Sequence, residues 1–288
     1  MAICRSAITA PRIEPFDEKP EDARLAASMQ RGGDYQLRGE PAEIMFSRAG
    51  MRTIKEWAGW DGPASVKAVS AALRIEHAVL RKEGLILADE RQTLADISVQ
   101  AFVRLYESVT GFCHYGTDIS SALMDIYGLR TLNPAGRSRR RFSFRKAKNG
   151  PGRYYASAER VIDEQRSVIY ALRASTREAD SGEGILRTWP EPAIAEAGVA
   201  ELIERLVANA SGQRELIRAA KLAYLDNHWW AHLARVRFLQ GNLVTLYDSA
   251  ADAEVLFKRD ADSLFTACLK EMREYTLGHL QYRFETSG

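Results

Sequence analysis

Two histidines four residues apart, in Asp226-Asn227-His228-Trp229-Trp230-Ala231-His232, put two imidazoles on one side of a helix, the spacing that helical metal sites use. A metal centre needs at least a third ligand, and a hydrolytic one needs a general base. The glutamate that follows the first histidine in helical zinc peptidases is replaced here by Trp229, and no Glu-x-x-His pair of the di-iron type is present. His279, on a neighbouring amphipathic stripe, is the residue able to supply a third nitrogen, so an enzyme with a non-local site near His228, His232 and His279 is one reading. The other is that these histidines line a helix interface with Trp229 and Trp230, their nitrogens satisfied by side chains or water.

Nucleophilic chemistry has little to stand on. Cys113 and His114 are adjacent, and consecutive side chains project apart, whereas a thiolate and its base must face each other. Cys268 falls on an apolar stripe and reads as a small core residue. Three widely spaced cysteines, Cys4, Cys113 and Cys268, form neither a disulfide framework nor a zinc cage. Walker, dinucleotide-binding, nucleophile-elbow and kinase motifs are missing, and carboxylates such as Asp163-Glu164 and Glu201 with Glu204 sit on polar helix faces. No catalytic residue, metal ligand or cofactor is assigned on this basis.

The strongest signal is RSRRRFSFRKAKNGPGRYY, from Arg137 to Tyr155, where eight of the first seventeen residues are Lys or Arg and none is acidic. The whole chain has a formal charge of +2, so the remainder carries −6 and the positive charge is concentrated. Arg137, Arg139, Arg140, Arg141, Arg145, Lys146, Lys148 and Arg153 supply the density of cations that consecutive phosphates require. Phe142, Phe144, Tyr154 and Tyr155 add rings on which bases stack, each contributing roughly 1–3 kcal/mol in single-strand binders. The competing reading has the two phenylalanines anchor a hairpin while the arginines face water or pair with acidic groups of the body.

Bulk properties bound the rest. A chain of 288 residues with 46% hydrophobic content builds a substantial core. The first 22 residues lack the apolar stretch of a secretory signal, and no window approaches the roughly 20 apolar residues of a membrane span. A cytoplasmic protein in a reducing compartment, without a membrane role, is the expectation.

The elements that must position these residues are helical. Residues 1–40, rich in Pro, Gly and charge, read as a mobile or loosely docked arm with one short helix around Glu21–Gln30. Helix is predicted from Pro41 to Trp57, from Ser65 to a stop near Gly84, over about Asp89–Val109, and from Asp118 to Gly128. The pair formed by the second and third has the outline of a helix-turn-helix. Between Leu129 and Tyr155 helical periodicity gives way to turn residues, and Arg141-Phe142-Ser143-Phe144-Arg145 alternates with period two, predicting a basic loop or small hairpin. Helix resumes over about Ala156–Thr176, and a Gly-rich turn with Trp189-Pro190 follows. Three amphipathic stripes come last: one from Val199 to Val207; one through Leu222, Leu225, Trp229, Leu233, Val236 and Leu239; and one from Leu246 through Phe257, Leu264, Cys268, Tyr275, His279 and Tyr282, with a restart at Ser249 and Asp252.

The fold class is therefore all-α: a multi-helix bundle with an irregular or hairpin-like basic insertion near residues 130–155. A single helical domain over 41–288 is expected, divisible into 41–128 and 156–288 joined by 129–155. The leading functional expectation is a nucleic-acid-associated protein acting through residues 137–155. The alternative is a helical adaptor, regulator or translocated effector whose C-terminal helices meet a partner protein or a second copy.

Overall fold

A computed structural model describes residues 19–38, 43–85, 151–190, 198–247 and 252–286, with side chains at 43 and 151–157 outside the description. The helices predicted at Asp89–Val109 and Asp118–Gly128, the second half of the suggested helix-turn-helix, and residues 137–148 lie outside it. The chain divides into two compact units, one of Met1–Leu94 with Glu164–Gly288, the other of Ala95–Asp163. The first thus joins residues from both sides of the basic segment.

The described residues are mostly helical, with one small sheet, in the order α1 (Pro20–Ser28), β1 (Tyr35–Arg38), β2 (Glu43–Phe46), α2 (Arg48–Ala58), α3 (Val66–Lys82), α4 (Pro151–Glu178), α5 (Gly182–Arg187), α6 (Val199–Ala208), α7 (Arg214–Gly241), α8 (Leu243–Leu246) and α9 (Ala253–Thr286). Among them no helix is long and apolar enough to cross a membrane.

Two corrections concern the N-terminal part. Residues 19–38 are docked on the helical body, since Asp22, Ala26, Met29 and Tyr35 are all buried and α1 packs on α3. The helix predicted from Pro41 begins at Arg48 instead. Glu43–Phe46 pairs antiparallel with Tyr35–Arg38, in the register Tyr35↔Phe46 and Leu37↔Ile44. Period-two burial at Ile44 and Phe46 holds that strand in place. Ser47 then starts α2: its hydroxyl accepts from Gly50 N at 3.1 Å and donates to Gly33 O at 2.7 Å, fastening the helix to the hairpin. Gly59, left-handed at φ 59°, ends it. Ser65 caps α3 as predicted, accepting from Ala68 N at 3.2 Å.

The core of the first unit is the seam between α7 and α9. Contacts pair residue 224 with 275 and 279, 229 with 265, and 247 with 260, so the two helices run antiparallel. Leu225, Trp229, Leu233, Val236 and Leu239 on α7 meet Phe257, Ala261, Leu264 and Cys268 on α9, all buried. The predicted continuation of the α9 stripe is corrected at Tyr275 and Tyr282, which are 53% and 65% exposed. The buried face instead advances in steps of four, through Cys268, Met272, Thr276 and Leu280. Steps of seven turn a helix back by only about 20° each, so Cys268, Tyr275 and Tyr282 stay on nearly one line, whereas steps of four advance about 40° each, so the buried face winds round α9 and leaves the two tyrosines outside it.

Cationic side chains close several helix ends. Lys82 donates to the carbonyls of Ala26 (3.2 Å) and Ala27 in α1 and of Met29 just after it; Arg218 donates to Thr176 O and Ala179 O at the end of α4; Lys221 does the same for α5. The last carbonyls of a helix lack intrahelical donors, and a cation there also opposes the negative end of the dipole.

Candidate functional site

The helix that resumes after the basic segment starts earlier than its apolar period implies. Pro151 opens α4, so Arg153, Tyr154 and Tyr155 lie in its first turns and not in a loop or hairpin. Proline is tolerated in a first turn because its missing N–H is one of the unpaired donors there. Arg137, Arg139, Arg140, Arg141, Phe142, Phe144, Arg145, Lys146 and Lys148 lie outside the described residues.

Charge divides along the same line as the chain. The unit Ala95–Asp163 holds eleven Lys and Arg against six Asp and Glu, while the other holds 29 against 32. In that larger unit many cations are engaged internally. Arg74 meets Asp22 at 2.7 Å, Arg187 holds Glu204 with 2.6 and 2.8 Å contacts, Arg218 meets Glu215 at 2.6 Å, and Arg173 pairs with Asp226.

The histidine cluster is built into the helix seam, and its rings diverge. His228, 2% exposed, brings Nδ1 to 3.5 Å from Glu271 Oε2 and its ring to 5.0 Å from Tyr275. His232 turns to α4, where Nε2 lies 2.8 Å from Gln165 Oε1, and packs 5.4 Å from both Trp229 and Phe265. His279 lies 5.7 Å from Tyr224. Among the described residues no group of three or more His, Cys, Asp or Glu is placed to hold a metal ion. The rings line the helix seam as the interface reading expects, and a side chain meets Nε2 of His232, while both nitrogens of His228, Nδ1 of His232 and Nε2 of His279 are buried with no hydrogen bond to another protein group.

Burial, followed by the nearby Arg235 guanidinium, pushes His232 down to about 3. Its ring is neutral in the fold, with the Nε2 proton donated to Gln165. Between about pH 3 and the unfolded value near 6.5 the unfolded chain binds the extra proton. Stability from this group is therefore complete above about 6.5 and lost as pH falls toward 3. Urea denaturation of the wild type and His232→Gln across pH 4–7 is expected to show a steeper acid decline in the wild type. Equal slopes contradict the assignment.

Three buried polar centres escaped the sequence reading. Lys221, 1% exposed, donates to Ile185 O at 2.7 Å and to Thr188 O, with Trp189 centred 4.1 Å from Nζ. Burial pushes its amine down to about 7. Asp260, also buried, accepts from Tyr247 Oη at 3.0 Å and Arg259 Nε at 2.8 Å, beside a cleft of ≈360 Å³ that Lys55 and Trp60 also line. Burial and the Asp260 carboxylate push the Tyr247 phenol up. Asp22 accepts from Arg74 Nε at 2.7 Å and from Trp57 Nε1 at 3.3 Å, beside a cleft of ≈330 Å³. The legible signal for the first two is a charged residue in an apolar register, Lys221 between Ile217 and Leu225 and Asp260 between Phe257 and Leu264. Asp22 carries no such signal.

No family model matches the chain, and neither a curated protein nor a solved structure does.

Proposed function

We propose that the protein binds nucleic acid, or works within a nucleoprotein assembly, through the segment from Arg137 to Tyr155. The observation that supports this reading is the separation of charge: a compact unit with an excess of five cations stands in a chain whose other unit has an excess of three anions. Ion pairs and helix ends occupy many cations of that larger unit, which makes the 95–163 unit the favoured seat of a polyanion. In this reading the arginines and lysines neutralise consecutive phosphates, while Phe142, Phe144, Tyr154 and Tyr155 stack on bases or brace the segment. Fluorescence titration with short single- and double-stranded DNA and RNA at two salt concentrations tests it. Binding that weakens steeply with salt supports the reading, and absence of binding at low salt refutes it.

A second reading is favoured by α9, where Val255, Tyr275 and Tyr282 are 69%, 53% and 65% exposed. Such residues suit a partner protein or a second copy meeting the C-terminal helices, as in an adaptor, a regulator or a delivered effector. Light scattering across a concentration series separates the self-association branch, which predicts a mass above 32.2 kDa that Tyr275→Ser with Tyr282→Ser restores to the monomer value.

A further inference from the structure

We propose that the cleft beside Trp57 is a second binding site, for an aromatic base carrying a phosphate, that is, a nucleotide. It lies within the first unit and needs no residue of the basic segment, so it goes beyond the reading above and does not rest on it.

The platform is Trp57, the last but one residue of α2. It is 44% exposed, whereas Trp60, Trp189 and Trp229 are each below 8%. An exposed tryptophan usually moves among rotamers, but this one is tethered: Nε1 donates to Asp22 Oδ1 at 3.3 Å. Asp22 is itself buried, 1% exposed, and its Oδ2 accepts from Arg74 Nε at 2.7 Å and Lys19 N at 3.3 Å. A buried carboxylate held by a guanidinium thus fixes an indole whose ring remains partly open to solvent. Ordering such a side chain in advance lowers the entropy that a stacked ligand must overcome.

The cleft beside the ring measures ≈330 Å³, at the lower end of the range that small ligands fill. Lys19, Lys67 and Arg74 line it with Glu21 and Asp22. Arg74 and Asp22 neutralise each other, and neither Lys19 nor Lys67 has an ion-pair partner among the described residues. Two ammonium groups against the single carboxylate of Glu21 favour an anion. The fixed indole favours a flat ring, and a base with a phosphate supplies both.

Calorimetric titration with AMP at low ionic strength tests the site. The wild type is expected to bind, with adenosine and inorganic phosphate each binding more weakly than AMP. Trp57→Ala is expected to weaken AMP about tenfold or more. Lys67→Ala, which alters an exposed side chain and leaves the fold alone, is expected to weaken it about threefold, with the difference shrinking as salt rises. Hexadeoxyadenylate separates the two sources of the same chemistry. A matching loss on Trp57→Ala shows that the cleft takes a base within a strand, and a loss confined to AMP shows that it takes free nucleotide. No detectable AMP binding at millimolar concentration overturns the proposal, as does AMP binding that both variants leave unchanged. Replacing Arg139, Arg140 and Arg141 together by alanine keeps this outcome distinct from the proposed function: strand binding lost there, with AMP not bound by the wild type, sinks the cleft alone.

Discussion

Trp229→Ala is expected to lower the unfolding free energy by about 4 kcal/mol. The indole is 1% exposed at the centre of the α7–α9 seam, 6.3 Å from Phe265 and 5.4 Å from His232. Truncation removes the largest fully buried side chain of the described residues and leaves a cavity between two long helices that cannot collapse without losing register. It also strips cover from the buried His232 ring. For a unit of this size the loss corresponds to a fall in Tm of roughly 10 °C. Tyr282→Ala, on the stripe predicted for α9 but 65% exposed, is expected to change stability by no more than about 0.5 kcal/mol. Urea denaturation of both variants checks the contrast, and similar losses would place the seam elsewhere.

Gly50→Ala is expected to destabilise by about 3 kcal/mol, against the sign that helix propensity alone implies. Alanine is favoured over glycine inside a helix by about 1 kcal/mol. At position 50, however, an added Cβ would stand 2.1 Å from Asp34 O and 2.8 Å from Asp34 C. Both are backbone atoms, so relief requires the turn before β1 to move. That turn is held by Asp34 N to Gln30 O at 2.8 Å, Gln30 N to Asp34 Oδ2 at 2.7 Å and Ser47 N to Asp34 O at 2.8 Å. The missing methyl is what lets α2 cross the hairpin at that distance. Gly278→Ala, inside α9 with nothing within 4 Å of the added atom, is expected to stabilise by about 0.5–1 kcal/mol. Denaturation midpoints that move the same way for the two glycines contradict this account of α2.

The helical class was legible because apolar residues recur at helical spacing, and Ser65 and Gly84 punctuate α3 where their chemistry requires. Leu225, Trp229, Leu233, Val236 and Leu239 of the predicted α7 stripe are buried and Leu222 is not, but the helix buries a wider face that also takes in Lys221, His228, His232 and Arg235, which an apolar stripe does not mark. Other features depend on partners distant in sequence. A four-residue strand such as Glu43–Phe46 is too short to show a period, and Pro41 offered an attractive but false helix start; only pairing with Tyr35–Arg38 settles the conformation. Tyr275 and Tyr282 followed Cys268 in steps of seven, and the seam follows steps of four. Pro151 belongs to α4 even though glycines flank it, because nothing local opposes a helix beginning at a proline.

The candidate sites show the same contrast. His228 and His232 share a spacing but not a direction: one ring faces Glu271 and Tyr275, the other Gln165 and Phe265. Spacing along one helix says nothing of what the neighbouring helices bring to meet it. Trp57 is an ordinary aromatic until Asp22, 35 positions away, is seen to hold its N–H. The basic segment is the opposite case, since charge density is a property of composition and needs no fold to be recognised.

The central claim, that the cations of residues 137–155 meet phosphates, is tested most directly by the salt dependence of duplex DNA binding in the wild type and in the variant with Arg139, Arg140 and Arg141 replaced by alanine. Three phosphate contacts fewer predict weaker binding and a plot of log K against log salt that is shallower by about 2.7. Equal affinity and equal slope in the two proteins would contradict it.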